Sequence, residues 1–283
     1  MPFKKVLIAL DGSKYSQVAS AYGFWLSSCL DAKLSMQHIV DPRVADMLIA
    51  PEFAEELGLA AANEISDKVF AALRKIGRLI LNVVSNEAQG RNITVHTHLD
   101  EGHVVEEILK RAAEHDLVIM GHKGMGKQPV IAELAIGTVA ERVAVGSKKP
   151  VLIAVSAIES MNEILVAFDG SEPARGALLM AEQLAKQGRA RLKACIVIPD
   201  ESHRAEAELT VEQGRKLLRE FWPEEVFSII TGVAADELPA LAQKNQSLLV
   251  IGAYGFRNPE LNVMGRTVTS IVRRSACSLL IYR

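Results

Sequence analysis

The chain is written twice. Leu117-Val118-Ile119-Met120 runs into Gly121-His122-Lys123-Gly124, and the apolar residues 248–251 run into Gly252-Ala253-Tyr254-Gly255. Each stretch is followed by a third glycine, Gly137 or Gly265, then by a helical pattern and a second apolar run, residues 151–154 or 279–282. Upstream, residues 5–10 (KVLIAL) end on Asp11-Gly12-Ser13 and residues 163–168 (EILVAF) end on Asp169-Gly170-Ser171. The period is far too long for a solenoid, so a whole domain has been duplicated. Asp11 to Asp169 is 158 positions and Gly121 to Gly252 is 131, so the first copy is 27 residues longer between these points. Most of that excess falls around its second helix. A polar stretch at 156–162 serves as the linker, giving domains 1–156 and 162–283.

Within each copy, short apolar runs alternate with helical patterns. Runs without polar alternation read as strands buried on both faces. In the first copy strands are expected at 5–10, 33–40, 93–98, 117–120 and 151–154. Helices are expected at about 14–30, 52–85 and 104–114, and again after Gly137-Thr138. On the long helix, Phe70, Leu73, Ile76 and Ile80 are apolar positions at helical spacing. The second copy repeats the order, with strands at 163–168, 191–197 and 226–230. This β-α-β-α-β-α-β-α-β order specifies an α/β fold, two tandem open parallel five-stranded sheets flanked by helices. The fifth strands are apolar edges, and an unpaired apolar edge invites aggregation, so the two copies are expected to pair through them.

Composition narrows the function classes. Net charge is −2 and aromatic content 5%, which disfavours a nucleic-acid surface and base stacking. No apolar run approaches the length of a membrane span. The apolar run behind Lys4 and Lys5 is too short for a signal core, so the reading is a cytoplasmic protein. Three widely spaced cysteines, Cys29, Cys195 and Cys277, make no disulfide framework.

Two features carry chemistry. At the carboxyl ends of parallel strands, where strand order reverses, ligands sit in a crevice. Asp11 and Asp169 end first strands there, and a carboxylate suits a ribose hydroxyl or an adenine amine better than a phosphate. Asp is equally common as a turn residue before a helix. The glycines that follow the fourth strand let a phosphate approach the backbone, and the first N–H groups of the next helix have no internal partners. Their alternative is a strand-to-helix turn with no ligand.

These pieces together resemble the universal stress protein family in its tandem form, over essentially the whole chain. The resemblance implies a Rossmann-like, adenine nucleotide alpha hydrolase-like fold with strand order 3-2-1-4-5. It also implies the Gly-2x-Gly-9x-Gly-(Ser/Thr) pattern of ATP-binding members. The second copy has Gly252, Gly255 and Gly265 at that spacing, with Arg266 in place of the hydroxyl residue and Thr267 after it. The first has Gly121, Gly124, Gly137 and Thr138, with three extra loop residues. The first copy is favoured on its Thr138. By this resemblance ATP or AMP, with or without Mg²⁺, binds Asp11 through ribose or base and lies against Val40 and Met120. Backbone groups around Gly121, Gly124, Gly137 and Thr138 hold the phosphates, and Ala9 and Val139 complete the set. Asp169, Gly252, Gly255, Gly265, Arg266 and Thr267 are the second copy's equivalents. The protein so read is a stress-response regulator without rapid turnover, acting on an unknown protein partner, with a further homodimer open. The alternatives are an interaction module with degenerate sites and a slow ATPase, although no base or Walker-type lysine is visible.

Three other features have plainer readings. His96, His98 and His103 could chelate a metal, but an edge strand with polar residues outward explains them. His115 and His122 have no nucleophile beside them. Arg273 and Arg274 complement the dipole at the end of the last helix.

Overall fold

The computed structural model describes residues 3–44, 59–122, 138–157, 161–219, 222–253, 264–274 and 277–283. The first half runs β1 (Lys5–Ala9), α1 (Lys14–Leu30), β2 (Lys33–Val40), α2 (Leu59–Gly90) and β3 (Val95–Glu101). It continues with α3 (Val104–Ala112), β4 (Leu117–Gly121), α4 (Val139–Gly146) and β5 (Val151–Ala154). The second half runs β6 (Glu163–Ala167), α5 (Glu172–Gly188), β7 (Arg191–Ile198), α6 (Arg204–Leu217) and β8 (Phe227–Thr231). Then come α7 (Ala234–Asn245), β9 (Leu248–Gly252), α8 (Arg266–Arg274) and β10 (Leu279–Tyr282).

Among the described residues, ten strands form one sheet in the order β3-β2-β1-β4-β5-β10-β9-β6-β7-β8. Each half has the order 3-2-1-4-5, and neighbours within a half are parallel. The halves join antiparallel through β5 and β10, with Leu280 opposite Leu152. The apolar edges foreseen in the sequence thus close on each other. β1, β4, β6 and β9 are buried almost throughout, as unbroken apolar runs require. Alternate residues of each strand feed two cores, one beneath α1, α2 and α5 and one beneath α3, α4, α7 and α8.

The helix starts follow from local chemistry. Ser13 caps α1, its hydroxyl accepting from Ser16 N at 3.1 Å, and Ser171 caps α5, accepting from Ala174 N at 3.4 Å. Gly12 and Gly170 have φ of 82° and 78°, the left-handed turn that aims each strand into its helix.

Several boundaries differ from expectation. The long helix continues to Gly90, because nothing at residue 85 breaks it; residues 52–58 lie outside the described residues. It has 32 residues against 14 in α6, which accounts for 18 of the 27 extra. Ile76 is 46% exposed and does not face the core. With Ile65, Leu79 and Val83 it forms a second apolar row opposite the one resting on the sheet. β3 begins at Val95 and reaches Glu101, carrying Asp100 into the sheet.

The seam between halves is further tied by side chains. Arg273 Nε donates to the carboxylate of Glu141 in α4 at 2.9 Å, and the Arg283 guanidinium donates to the Ala144 and Val145 carbonyls at the end of α4. Arg274 pairs with Asp236 on α7. The two arginines of the last helix therefore make ion pairs in addition to meeting its dipole. Burial lowers the Arg283 guanidinium to about 10.

Candidate functional site

A cavity of about 330 Å³ opens at the carboxyl ends of β6, β7 and β9, at the point where strand order reverses in the second half. Ala167, Cys195, Val197, Leu238 and Ile251 give it an apolar floor. Asp169 and Ser171 stand on one side, and Gly252, Gly265, Arg266, Thr267 and Val268 on the other. The last four of these are the residue before α8 and its first turn, the part of a helix whose N–H groups lack internal partners. The Gly265 carbonyl accepts from Thr269 N at 3.0 Å, so Arg266 is the first residue inside the helix. An apolar floor, an exposed carboxylate and a cationic helix start make a site for an amphipathic anion with hydroxyl groups.

Asp11 and Asp169 also serve as turn residues. One carboxylate oxygen of each accepts the N–H two residues on, Ser13 at 2.9 Å and Ser171 at 3.0 Å. Burial raises the Cys195 thiol above its ordinary range, which keeps it protonated as part of the apolar floor.

The two described motif glycines have a clear local cause. A Cβ at Gly252 would lie 2.7 Å from the Pro173 carbonyl carbon, and one at Gly121 would lie 2.8 Å from that of Tyr15. The end of each fourth strand abuts the first turn of α5 or α1. Glycine is needed there for strand-to-helix packing whether or not a phosphate binds.

In the first half, β1 and β4 pair Ala9 with Met120, which places Asp11 and Gly121 just beyond them. Val40 ends β2, and its carbonyl accepts from Gly102 N at 3.1 Å. Thr138 is the N-cap of α4, its hydroxyl accepting from Glu141 N at 3.2 Å, and Val139 is exposed behind it. Gly124, Gly137 and Gly255 lie outside the described residues.

The first half departs from the second in its interior. Gln37, wholly buried, donates from Nε2 to Asp100 Oδ2 at 2.7 Å and to the Glu107 carbonyl at 3.1 Å. Arg111 holds Asp100 with both Nε at 2.9 Å and Nη2 at 2.8 Å. Because both partners of Nε2 only accept, the amide cannot be reversed. Its Oε1 has no hydrogen-bond partner among the described residues.

His122 follows Gly121 but turns to the other half. Its Nε2 donates to the Val272 carbonyl of α8 at 3.0 Å, and Tyr15 packs edge-on at 6.3 Å between centroids. It is a tie across the seam. His115 Nδ1 donates to the Arg111 carbonyl at 2.8 Å. His96 is exposed and His98 half-buried on β3, at the sheet edge. Burial, followed by the Arg111 charge, lowers His98 below its ordinary value. Among the described residues, no three His, Cys, Asp or Glu side chains gather to hold a metal ion. None of the described helices is long and apolar enough to cross a membrane.

The model of the universal stress protein family matches residues 2–154 and again 161–283. The chain belongs to the universal stress protein family. Its tandem form is shared by universal stress protein Slr1230 of Synechocystis sp., 22% identical over 99% of this chain and 100% of that protein. Universal stress protein MJ0531 of Methanocaldococcus jannaschii is 28% identical over 53% of this chain and 81% of its own length. Among solved structures, a universal stress protein from Archaeoglobus fulgidus superposes with a TM-score of 0.69 at 19% identity, covering 99% of this chain and 96% of that one. That likeness concerns the fold.

Sequence reasoning found Asp169, Gly252, Gly265, Arg266 and Thr267 at the cavity of this universal stress protein. It missed Cys195, Val197, Ala234 and Leu238. The signal was present in the register: Cys195 pairs with Ala167, so the alternate residues of β7 continue the floor.

Proposed function

We propose that this universal stress protein binds an adenine nucleotide, ATP or AMP, in the second-half cleft and uses it as a conformational signal. The observation that carries the reading is the cleft itself, which joins an apolar floor to Asp169 and to the cationic first turn of α8. The base lies against Cys195, Val197 and Leu238. Asp169 accepts from a ribose hydroxyl or the adenine amine. The N–H groups of the first turn and the Arg266 guanidinium meet the phosphates, and Mg²⁺ would screen the remaining charge. Asp11, Ala9, Val40, Met120, Gly121, Thr138 and Val139 form the counterpart in the first half. The described residues around the cleft offer no nucleophile paired with a base, which supports a slow or absent turnover and a switching role. We assign the protein to the cytoplasm as a stress-response regulator acting on a protein partner, built from domains 1–156 and 162–283.

Calorimetric titration with ATP, AMP and adenosine tests this. Arg266→Met should weaken ATP and AMP at least tenfold, about the worth of one charge-assisted hydrogen bond, and leave adenosine unchanged. Equal weakening of all three would remove Arg266 from the phosphate site. No binding at millimolar ATP would reject the nucleotide reading and favour an interaction module.

A further inference from the structure

We infer that the two halves are unequal: a polar plug, the buried Gln37 braced by the half-buried Asp100 and Arg111, fills in the first half the space that Cys195 leaves open to the cleft in the second, so one nucleotide binds per chain. This rests on the nucleotide reading of the cleft and goes beyond it, since it names which half works and why.

The register fixes the correspondence. Ala9 pairs with Gln37 where Ala167 pairs with Cys195, so Gln37 and Cys195 stand at one place in the fold. Val40 pairs with Glu101 where Ile198 pairs with Thr231, which sets Asp100 against Ile230. Gly102 and Gly232, with φ of 143° and 150°, turn into α3 and α7 at matching points, which sets Arg111 against Leu241. In the second half Ile230 and Leu241 pack against the apolar cluster, and Cys195, a short side chain, leaves the floor open toward Leu238.

In the first half the longer Gln37 reaches from β2 to the backbone of α3 at Glu107 and to Asp100 on β3. It bridges the gap that the second half leaves between strand and helix. The amide is held at two points, and the carboxylate it meets is held at two more by Arg111. Swinging Gln37 aside would give up both hydrogen bonds of a wholly buried amide, so the plug does not yield to an entering base. The hydroxyl of Thr138, which favours the first copy on sequence, caps α4 by accepting from Glu141 N. The plug also explains how a duplicated chain keeps one ligand site while retaining both halves of the sheet.

Equilibrium dialysis of the full chain against saturating labelled ATP, and separately AMP, tests the inference. Wild type should bind one nucleotide. Cys195→Gln, which places the plug residue in the second half, should weaken that binding at least tenfold. Gln37→Cys combined with Asp100→Ile and Arg111→Leu should raise the count to two. The orphaned Gln37 Oε1 makes this exchange mild for the fold. Two nucleotides on wild type, one that survives Cys195→Gln, or a triple variant still at one would each overturn the plug while leaving nucleotide binding intact. No binding by any form overturns both readings. Should the triple variant fail to fold, wild-type stoichiometry and Cys195→Gln decide the matter, and a folded Cys195→Gln is recognised by an unchanged circular dichroism spectrum.

Discussion

Gly252→Ala lowers the melting temperature by roughly 3–10 °C, and Gly121→Ala does the same, with or without nucleotide present. The cause is the backbone contact. The new Cβ at Gly252 would stand 2.7 Å from Pro173 Cβ and 2.9 Å from Ala174 N, and that at Gly121 would stand 2.7 Å from Tyr15 Cβ and 3.0 Å from Ser16 N. Backbone atoms in a capped first turn cannot move aside as a flexible side chain would. Overpacking of this kind costs about 1–3 kcal/mol. Differential scanning calorimetry of the two variants checks it, and a melting temperature within a degree of wild type would refute the packing role. A consequence for ligand work follows: loss of nucleotide in a glycine variant reports a displaced helix, whereas Arg266→Met reports the phosphate contact.

Leu280→Ala is expected to destabilise the chain by about 2–5 kcal/mol, the range for emptying a well-packed leucine site. Leu280 and Leu152 are each about 1% exposed and face each other across the one antiparallel pairing among the described strands. Leu280 also pairs with Val250 in β9, so its loss loosens the second half and the seam together. Urea denaturation followed by tryptophan fluorescence measures the change, because Trp25 on α1 and Trp222 beside the second-half core both border the cluster that includes Leu280. A shift below about 1 kcal/mol would mean that the halves do not depend on this pairing.

Most of the fold was legible because this sheet is buried on both faces, and its strands are written as unbroken apolar runs closed by Asp-Gly-Ser or Gly-x-x-Gly. The seam was legible for the same reason, as a fifth strand too apolar to be left as an edge. The long helix was harder: Ile76 fits the helical spacing of the core row, but α2 carries two apolar rows and Ile76 belongs to the exposed one. In the site, Asp169 and Arg266 stood out by motif. Cys195 and Leu238 did not, since an apolar floor leaves no motif and emerges only once strand register is known. Gln37 read as an ordinary residue of a strand, because its partners Asp100 and Glu107 are 63 and 70 positions away. His122 sits inside a phosphate-loop pattern, yet its ring is committed to Val272 150 positions away. Long-range partners of this kind are set by topology and cannot be read from local spacing.

Amide hydrogen exchange with and without millimolar AMP measures directly where a nucleotide sits. Slowed exchange is predicted in residues 167–174, 195–198 and 264–269, around the second-half cleft, with the corresponding first-half residues 9–16, 37–40 and 138–142 unchanged. Protection confined to the first-half segments, or none in either half, would contradict it.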